Sequence, residues 1–311
     1  MTGHSDNLQE IEDSRKTAVI NNELRRLNVD IASLQETRLA DSGTIKEKDY
    51  TFFWQGKREE ERREYGVGFA VKNQLLGMTE PGSNGCERLL TLRLNTTEGP
   101  VNLISAYAPT LTSSAEDKNL FYEKLDNLVC SIPSNEQLIL LGDFNARVGA
   151  DNESWSSCIG KFGTGKMNEN GQRLLELCTF HNLCITNTYF LTRPQHKVSW
   201  MHPRSKSWHQ LDLILTRRSS LKNILLTRSY HSADCDSDHS LVCCKIRLQP
   251  KKFYKVKKQG NSRIDISKMP QPDLINTFTE AFEKEYGTSN NDITATEKWM
   301  TLQRTMYETA L

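Results

Sequence analysis

The chain lacks any apolar run long enough to cross a membrane and lacks a charged-then-apolar leader. The first absence excludes a helical membrane span, and together they lead us to expect a reducing compartment, nucleus or cytoplasm. It also lacks net charge: 40 Lys and Arg against 39 Asp and Glu leave +1. No global basic field draws such a chain to nucleic acid, so any contact of that kind must use local patches. There is no Cys-x-x-Cys pair among the eight cysteines. Cys178, Cys184, Cys243 and Cys244 lie in apolar stretches and read as buried free thiols. Cys and His do not cluster at ligand spacing, so no zinc site is expected. The stretch Gly66-Val67-Gly68-Phe69 is not a phosphate loop, because no helix start follows it.

What is present is a set of polar residues at the ends of apolar runs. Residues 138–149 read LILLGDFNARVG. The apolar run Leu138–Leu141, closed by Gly142, has the pattern of a buried strand. A carboxylate and an amide just beyond it, Asp143 and Asn145, are costly there without partners. That pair suits chemistry at a phosphate: Asp143 can accept a proton from water, and Asn145 can hold the water or an oxyanion. Downstream, Asp212 lies within LDLIL and Asp238-His239 within SDHSLV. A carboxylate inside an apolar strand needs a partner, and His239 is the natural one; Asp212 would fix its tautomer and favour the imidazolium. Glu36 follows the run Val29, Ile31, Leu34, and Tyr107 follows an apolar strand stopped by Pro109.

The remaining pattern alternates short strands with a few helices. Helices are expected over 15–28, 115–130 and 171–182. Strands are expected over 29–35, 50–55, 66–72, 88–94, 101–107, 137–143, 183–190, 197–200, 209–215 and 240–248. Such a mix fits an α/β fold in which a two-sheet sandwich is flanked by helices. We divide the chain into a polar segment 1–14, a domain 15–248, a basic linker 249–268 and a helical appendage 269–311. The linker holds Lys251, Lys252, Lys255, Lys257 and Lys258, a run expected to be solvated and mobile. Beyond it Leu274, Phe278 and Phe282, then Trp299, Leu302 and Met306, form apolar helical stripes. The mixed run Lys57–Glu64 reads as a solvated hairpin tip, whereas Arg204, Lys206, Arg217 and Arg218, flanking the strand of Asp212, are candidate phosphate contacts.

Glu36, SAYAP around Tyr107, GDFN around Asp143 and Asn145, LDLIL around Asp212 and SDH at 237–239 occur in that order. This order resembles the endonuclease/exonuclease/phosphatase superfamily, the DNase I-like fold, and most closely the endonuclease domain of non-LTR retrotransposons. The resemblance covers about residues 15–248. It implies Mg²⁺-dependent hydrolysis of DNA phosphodiesters, with Mn²⁺ as an alternative ion. It also implies roles: Glu36 and Asp238 as metal-binding carboxylates, Tyr107 on the scissile phosphate, Asp143 as general base with Asn145 beside it, and the Asp212–His239 pair. Ser199, thirteen residues before Asp212, and Asn170 in NENGQRL are the corresponding substrate contacts, to which Arg204 is added from its place beside the strand of Asp212. In the retrotransposon proteins a reverse transcriptase follows; none of its motifs is present here.

One departure stands out. The family pattern begins with a strand bearing an Asn, often in a WNVR-like segment, and this chain opens MTGHSDNLQEIEDSRKTAV. Asn7 sits in a polar context that does not match. The expectation is therefore a chain starting just after the first strand, with reduced activity or, as the alternative, an inactive remnant that binds nucleic acid or protein. A phosphomonoesterase of the same fold is disfavoured, because WHQLD at 208–212 lacks that branch's PxWCDR-like stretch.

Overall fold

The computed structural model describes residues 6–82, 85–233, 237–248, 271–286 and 295–309. Helix α1 (Asp6–Arg26) leads into strands β1 (Ile31–Gln35), β2 (Ser42–Lys46), β3 (Tyr50–Gln55) and β4 (Val67–Lys72), then β5 (Thr79–Pro81), β6 (Leu89–Thr96) and β7 (Gly99–Tyr107). Helix α2 (Ala115–Ser131), strand β8 (Gln137–Asp143), helix α3 (Glu169–Phe180) and strand β9 (Leu183–Ile185) follow. The two-residue strands β10 (Trp200–Met201) and β11 (Trp208–His209) precede β12 (Asp212–Arg217), β13 (Ile224–Tyr230) and β14 (Leu241–Ile246). Two sheets dominate: an antiparallel one ordered β1-β4-β3-β2, and a six-stranded one ordered β5-β6-β7-β8-β12-β9. β10 pairs with β11, and β13 with β14.

Period-two alternation sorts the side chains of the larger sheet. Leu90, Leu92, Leu94, Val101, Leu103, Tyr107, Ile139 and Ile214 share one core with Val67, Phe69 and Val71 of β4, between the sheets. Ile104, Ala106, Leu138, Leu140, Leu213 and Leu215 point the other way, onto Phe121, Leu125 and Val129 of α2 and Leu174, Leu177 and Cys178 of α3. Leu24 of α1 packs with Ala32, Tyr50, Phe52 and Ala70 on the outer side of the smaller sheet. The result is helix, sheet, sheet, helix: the α/β sandwich flanked by helices. Ser114 caps α2 by accepting from the Asp117 N–H at 3.0 Å. Asn168 caps α3 by accepting from Gly171 at 2.8 Å. Both helix starts are thereby supplied with the acceptors their free N–H groups need.

Several elements differ from the expectations. Helix α1 starts at Asp6 and takes in most of the segment read as polar and loop-like. β2, β5 and β13 were not expected. The strand expected over 183–190 stops at Ile185 and turns into a 3₁₀ segment, Thr186–Thr188, that is itself buried. The chain divides into two units, 1–252 and 253–311. In the second, helices α4 (Pro272–Tyr286) and α5 (Ala295–Thr309) lie against each other, and Phe278, Phe282 and Tyr286 stack in sequence at 5.9 and 5.5 Å. The Lys-rich run at 251–258 lies outside the described residues. No helix of the described residues is long and apolar enough to cross a membrane.

Candidate active site

Three strands of the larger sheet end together. β7 and β8 are parallel, with Tyr107 opposite Asp143; β12 runs antiparallel, with Asp212 opposite Asp143. Alternation turns Tyr107, Asp143 and Asp212 to the same face, toward the other sheet. The sheet can close this tightly because residue 142 is glycine: a Cβ there would stand 1.8 Å from the Ala106 carbonyl oxygen. From the facing sheet Glu36, just past β1, accepts the Tyr107 hydroxyl at 2.7 Å. Glu36, Arg38 and Asn145 all have positive φ, 52°, 54° and 47°. These are left-handed conformations that non-glycine residues rarely adopt, and here they occur where the chain turns past the ends of β1 and β8.

Asp143 is 6% exposed. Its oxygens accept the Asn145 backbone N–H at 2.8 Å and the Asn145 side-chain amide at 3.2 Å. Burial, and then the negative charge of Asp212, push its pKa far above the usual carboxylate range; His239 and the Asn145 N–H pull against that. Asp212 reaches His239, whose Nδ1 lies 2.8 Å from the carboxylate. Burial alone would lower the His239 pKa, but the Asp212 hydrogen bond and the charges of Asp212, Asp143 and Asp238 raise it to about 9. His239 is therefore an imidazolium at neutral pH, with Nε2 left to donate elsewhere. The Tyr107 hydroxyl is raised, first by burial and then by its bond to Glu36, and stays neutral.

Other residues expected in the site take supporting positions. Asn170 is 2% exposed; its amide donates to the carbonyls of Pro109 (3.1 Å) and Asn145 (3.0 Å), tying the two turns that carry the site. Ser199 is fully buried, and its hydroxyl accepts the backbone N–H groups of Leu211 (3.3 Å) and Asp212 (3.2 Å). A side chain so enclosed cannot touch a substrate; it fixes the start of β12. Arg204 lies exposed in the turn between β10 and β11, with Lys206. Arg217 and Arg218 stand at the far end of β12 from Asp212 and donate to the carbonyls of Ile132, Pro133, Ser156 and Ser157, so they are not phosphate contacts of this cleft. Asp238 is exposed and accepts the Trp200 indole N–H at 3.0 Å; its charge acts on His239.

Sequence reasoning missed two residues. Arg88 lies 3.8 Å from the Tyr65 ring centre and 5.3 Å from that of Tyr107, and donates to the Tyr107 carbonyl at 3.1 Å. Trp200 lies against His209 and His239, at 6.1 and 6.2 Å between ring centres. An Arg before an apolar strand and a Trp in a short strand carry no local signal; only the fold brings them here.

The donor set suits a hard divalent cation. Glu36 is half-exposed, and its oxygens face Tyr107 and, at 2.9 Å, Arg38. The like charges that raise Asp143 are what a cation would relieve. No three of these carboxylates bring oxygens within 4.8 Å of one another. The arrangement therefore fits an ion held by one or two carboxylates that keeps much of its water, which is the habit of Mg²⁺.

The model of the Endonuclease/Exonuclease/phosphatase family matches residues 7–239, and the chain belongs to that family, whose members are hydrolases of phosphodiester bonds and whose nucleases generally use divalent metal ions. Craniofacial development protein 2 of Bos taurus is 29% identical over 238 residues, which cover 76% of this chain and 39% of the relative. The chain thus spans well under half of that relative's length. Among solved structures, the endonuclease domain of TRAS1, a telomere-specific non-LTR retrotransposon, superposes with a TM-score of 0.54 at 17% identity, covering 75% of this chain and 93% of that domain. The catalytic domain of Xenopus laevis APE2 gives 0.56 at 17% identity, covering 76% and 89%. At such identities the likeness is one of fold.

Proposed function

We propose that the cleft hydrolyses phosphodiester bonds of DNA as an endonuclease, with Mg²⁺ as its ion and Mn²⁺ able to replace it. The observation that carries this reading is the continuous row Glu36, Tyr107, Asp143, Asp212 and His239 across adjacent strand ends. Asp143, deprotonated, takes a proton from the attacking water, and Asn145 holds its carboxylate in place. The water oxygen bonds to phosphorus as the P–O ester bond breaks, and the departing oxygen takes up a proton from solvent water to leave as a hydroxyl. The His239 imidazolium, oriented by Asp212, donates from Nε2 to a phosphate oxygen and stabilises the growing charge. Tyr107, neutral and with its hydroxyl proton donated to Glu36, holds that carboxylate in position at the edge of the cleft. Glu36 would hold the ion, which when bound supplies charge neutralisation at the phosphate. A retrotransposon origin, with a reverse transcriptase in the parent protein, belongs to the same proposal and is supported by the likeness to the TRAS1 domain.

Plasmid nicking tests this. Mg²⁺-dependent conversion of supercoiled to open-circle DNA, lost in Asp143→Ala, is the expected result. Equal nicking by Asp143→Ala would sink the assignment of the base. DNA binding without nicking under any divalent ion would favour a remnant that binds but does not cut.

A further inference from the structure

Helices α2 and α3 cover the same face of the larger sheet, and at the end away from the cleft they bring together three unlike donors. Asp126 and Cys130 are one turn apart on α2 and so share a face. His181 follows the last turn of α3, its own N–H donating to the Leu177 carbonyl. His181 Nε2 lies 2.6 Å from Asp126 Oδ1, and Cys130 Sγ lies 4.0 Å from Asp126 Oδ2. The ligand atoms of the three all lie within 4.8 Å of one another. For bonds of about 2.0–2.3 Å, a tetrahedral ion sets its donors about 3.3–3.8 Å apart. Cys130 Sγ, 4.0 Å from Asp126 Oδ2, stands slightly beyond that spacing. The Asp–His pair is closer because a proton holds it, and it opens by less than about 1 Å when a metal replaces that proton.

We propose that Asp126, Cys130 and His181 form a second metal site, selective for Zn²⁺ and independent of the cleft. The donor chemistry decides the ion. Thiolate and imidazole are soft to borderline ligands that suit zinc, whereas Mg²⁺ and Ca²⁺ take oxygen. Three protein ligands leave a fourth, tetrahedral position. The exposure of Asp126 (41%) and of Cys130 turns that position to solvent, where water fills it. His181, only 10% exposed, is the fixed point to which the two α2 side chains adjust. The ion would tie α2 to α3. The site lies at the opposite end of the sheet from the cleft: β9, which begins two residues after His181, pairs its Leu183 with Arg217, five residues along β12 from Asp212. A His–Asp hydrogen bond beside a chance cysteine would give the same contacts without metal, and the two readings separate in solution.

The full chain, stripped with a chelator, is titrated with Co²⁺. One equivalent should produce a thiolate-to-cobalt charge-transfer band with tetrahedral d–d bands, and Zn²⁺ but not Mg²⁺ should displace it. Cys130→Ser should abolish the charge-transfer band. Asp126→Asn and His181→Gln should each weaken Co²⁺ binding at least about tenfold, as loss of a ligand or its support commonly does. On the unmodified chain, Zn²⁺ should protect Cys130 from alkylation while Cys86 reacts as before. This holds even where His181→Gln fails to fold. No thiolate band in the unmodified chain, an unchanged band in Cys130→Ser, or no protection of Cys130 would each overturn the proposal. None of these readouts involves DNA cleavage, so they stand or fall apart from the assignment of the cleft.

Discussion

Asp143 sits between opposing influences, and its titration sets how the cleft responds to pH. Burial and the neighbouring carboxylates favour its protonated form, so the base becomes available only above the ordinary carboxylate range. His239 works in the other sense: its folded pKa, about 9, lies above the unfolded 6.5. Its pairing with Asp212 therefore contributes stability in full below pH 6.5, and that contribution fades as pH rises through about 9. Nicking should accordingly show a rising limb displaced upward from carboxylate values and a falling limb near pH 9. Asp212→Asn removes the charge that holds the imidazolium, so its falling limb should move down toward 6.5; an unchanged limb would show that His239 is not the acid group seen. Asp143→Asn keeps shape and removes the base. Loss of a general base typically costs about 10²–10⁴-fold in rate. We expect that loss in single-turnover nicking, with the far-ultraviolet circular dichroism unchanged.

At the level of elements, the cleft is a consequence of register. Tyr107, Asp143 and Asp212 meet because parallel β7–β8 and antiparallel β8–β12 pairings place one end of each strand side by side. Gly142 is the hinge of that arrangement. Gly142→Ala would drive a methyl into the Ala106 carbonyl, backbone against side chain in the middle of a sheet. Overpacking of this kind costs about 1–3 kcal/mol. The urea midpoint should fall with little change in slope, and nicking should fall further than stability, because the strand ends carry the site. The same logic explains what could be read in advance. Leu138–Leu141 and LDLIL are short apolar runs, and the polar residues ending them betray their function. β2 carries no such run, SGTIK being exposed at every other residue, and in β13 the run Ile224–Leu226 gives way to TRSY, whose Thr227 and Ser229 are buried. Helix α1 begins in a stretch too polar to reveal its start. Ser199 and Asn170 were legible as belonging near the site, but not as buried supports, because only the fold shows which way a hydroxyl or amide faces. The Asp126–Cys130–His181 group escaped a search by local spacing because His181 joins from another helix, 55 residues from Asp126.

At the scale of the whole molecule, a formal charge of +1 means that long-range attraction contributes little to DNA binding, and the cleft itself decides it. There the balance is negative. Glu36, Asp143, Asp212 and Asp238 stand against the imidazolium of His239 and the guanidinium groups of Arg88 and Arg38, the latter already paired with Glu36. A phosphate entering the cleft meets unscreened carboxylates unless a divalent cation offsets them. DNA affinity should therefore depend on the ion even when cutting is disabled. The Asp143→Asn chain should bind a short duplex at least tenfold more tightly in Mg²⁺ than in EDTA at matched ionic strength, a difference of about 1.4 kcal/mol. Glu36→Gln added to that chain should remove most of the gain, since the residue that would hold the ion is then neutral. Matching ionic strength matters, because screening alone shifts binding to a polyanion in the opposite direction. Equal affinity with and without Mg²⁺ would show that the carboxylates of the cleft do not need a cation to admit DNA. The metal reading of Glu36 would then fail, even if the row of strand-end residues proved catalytic.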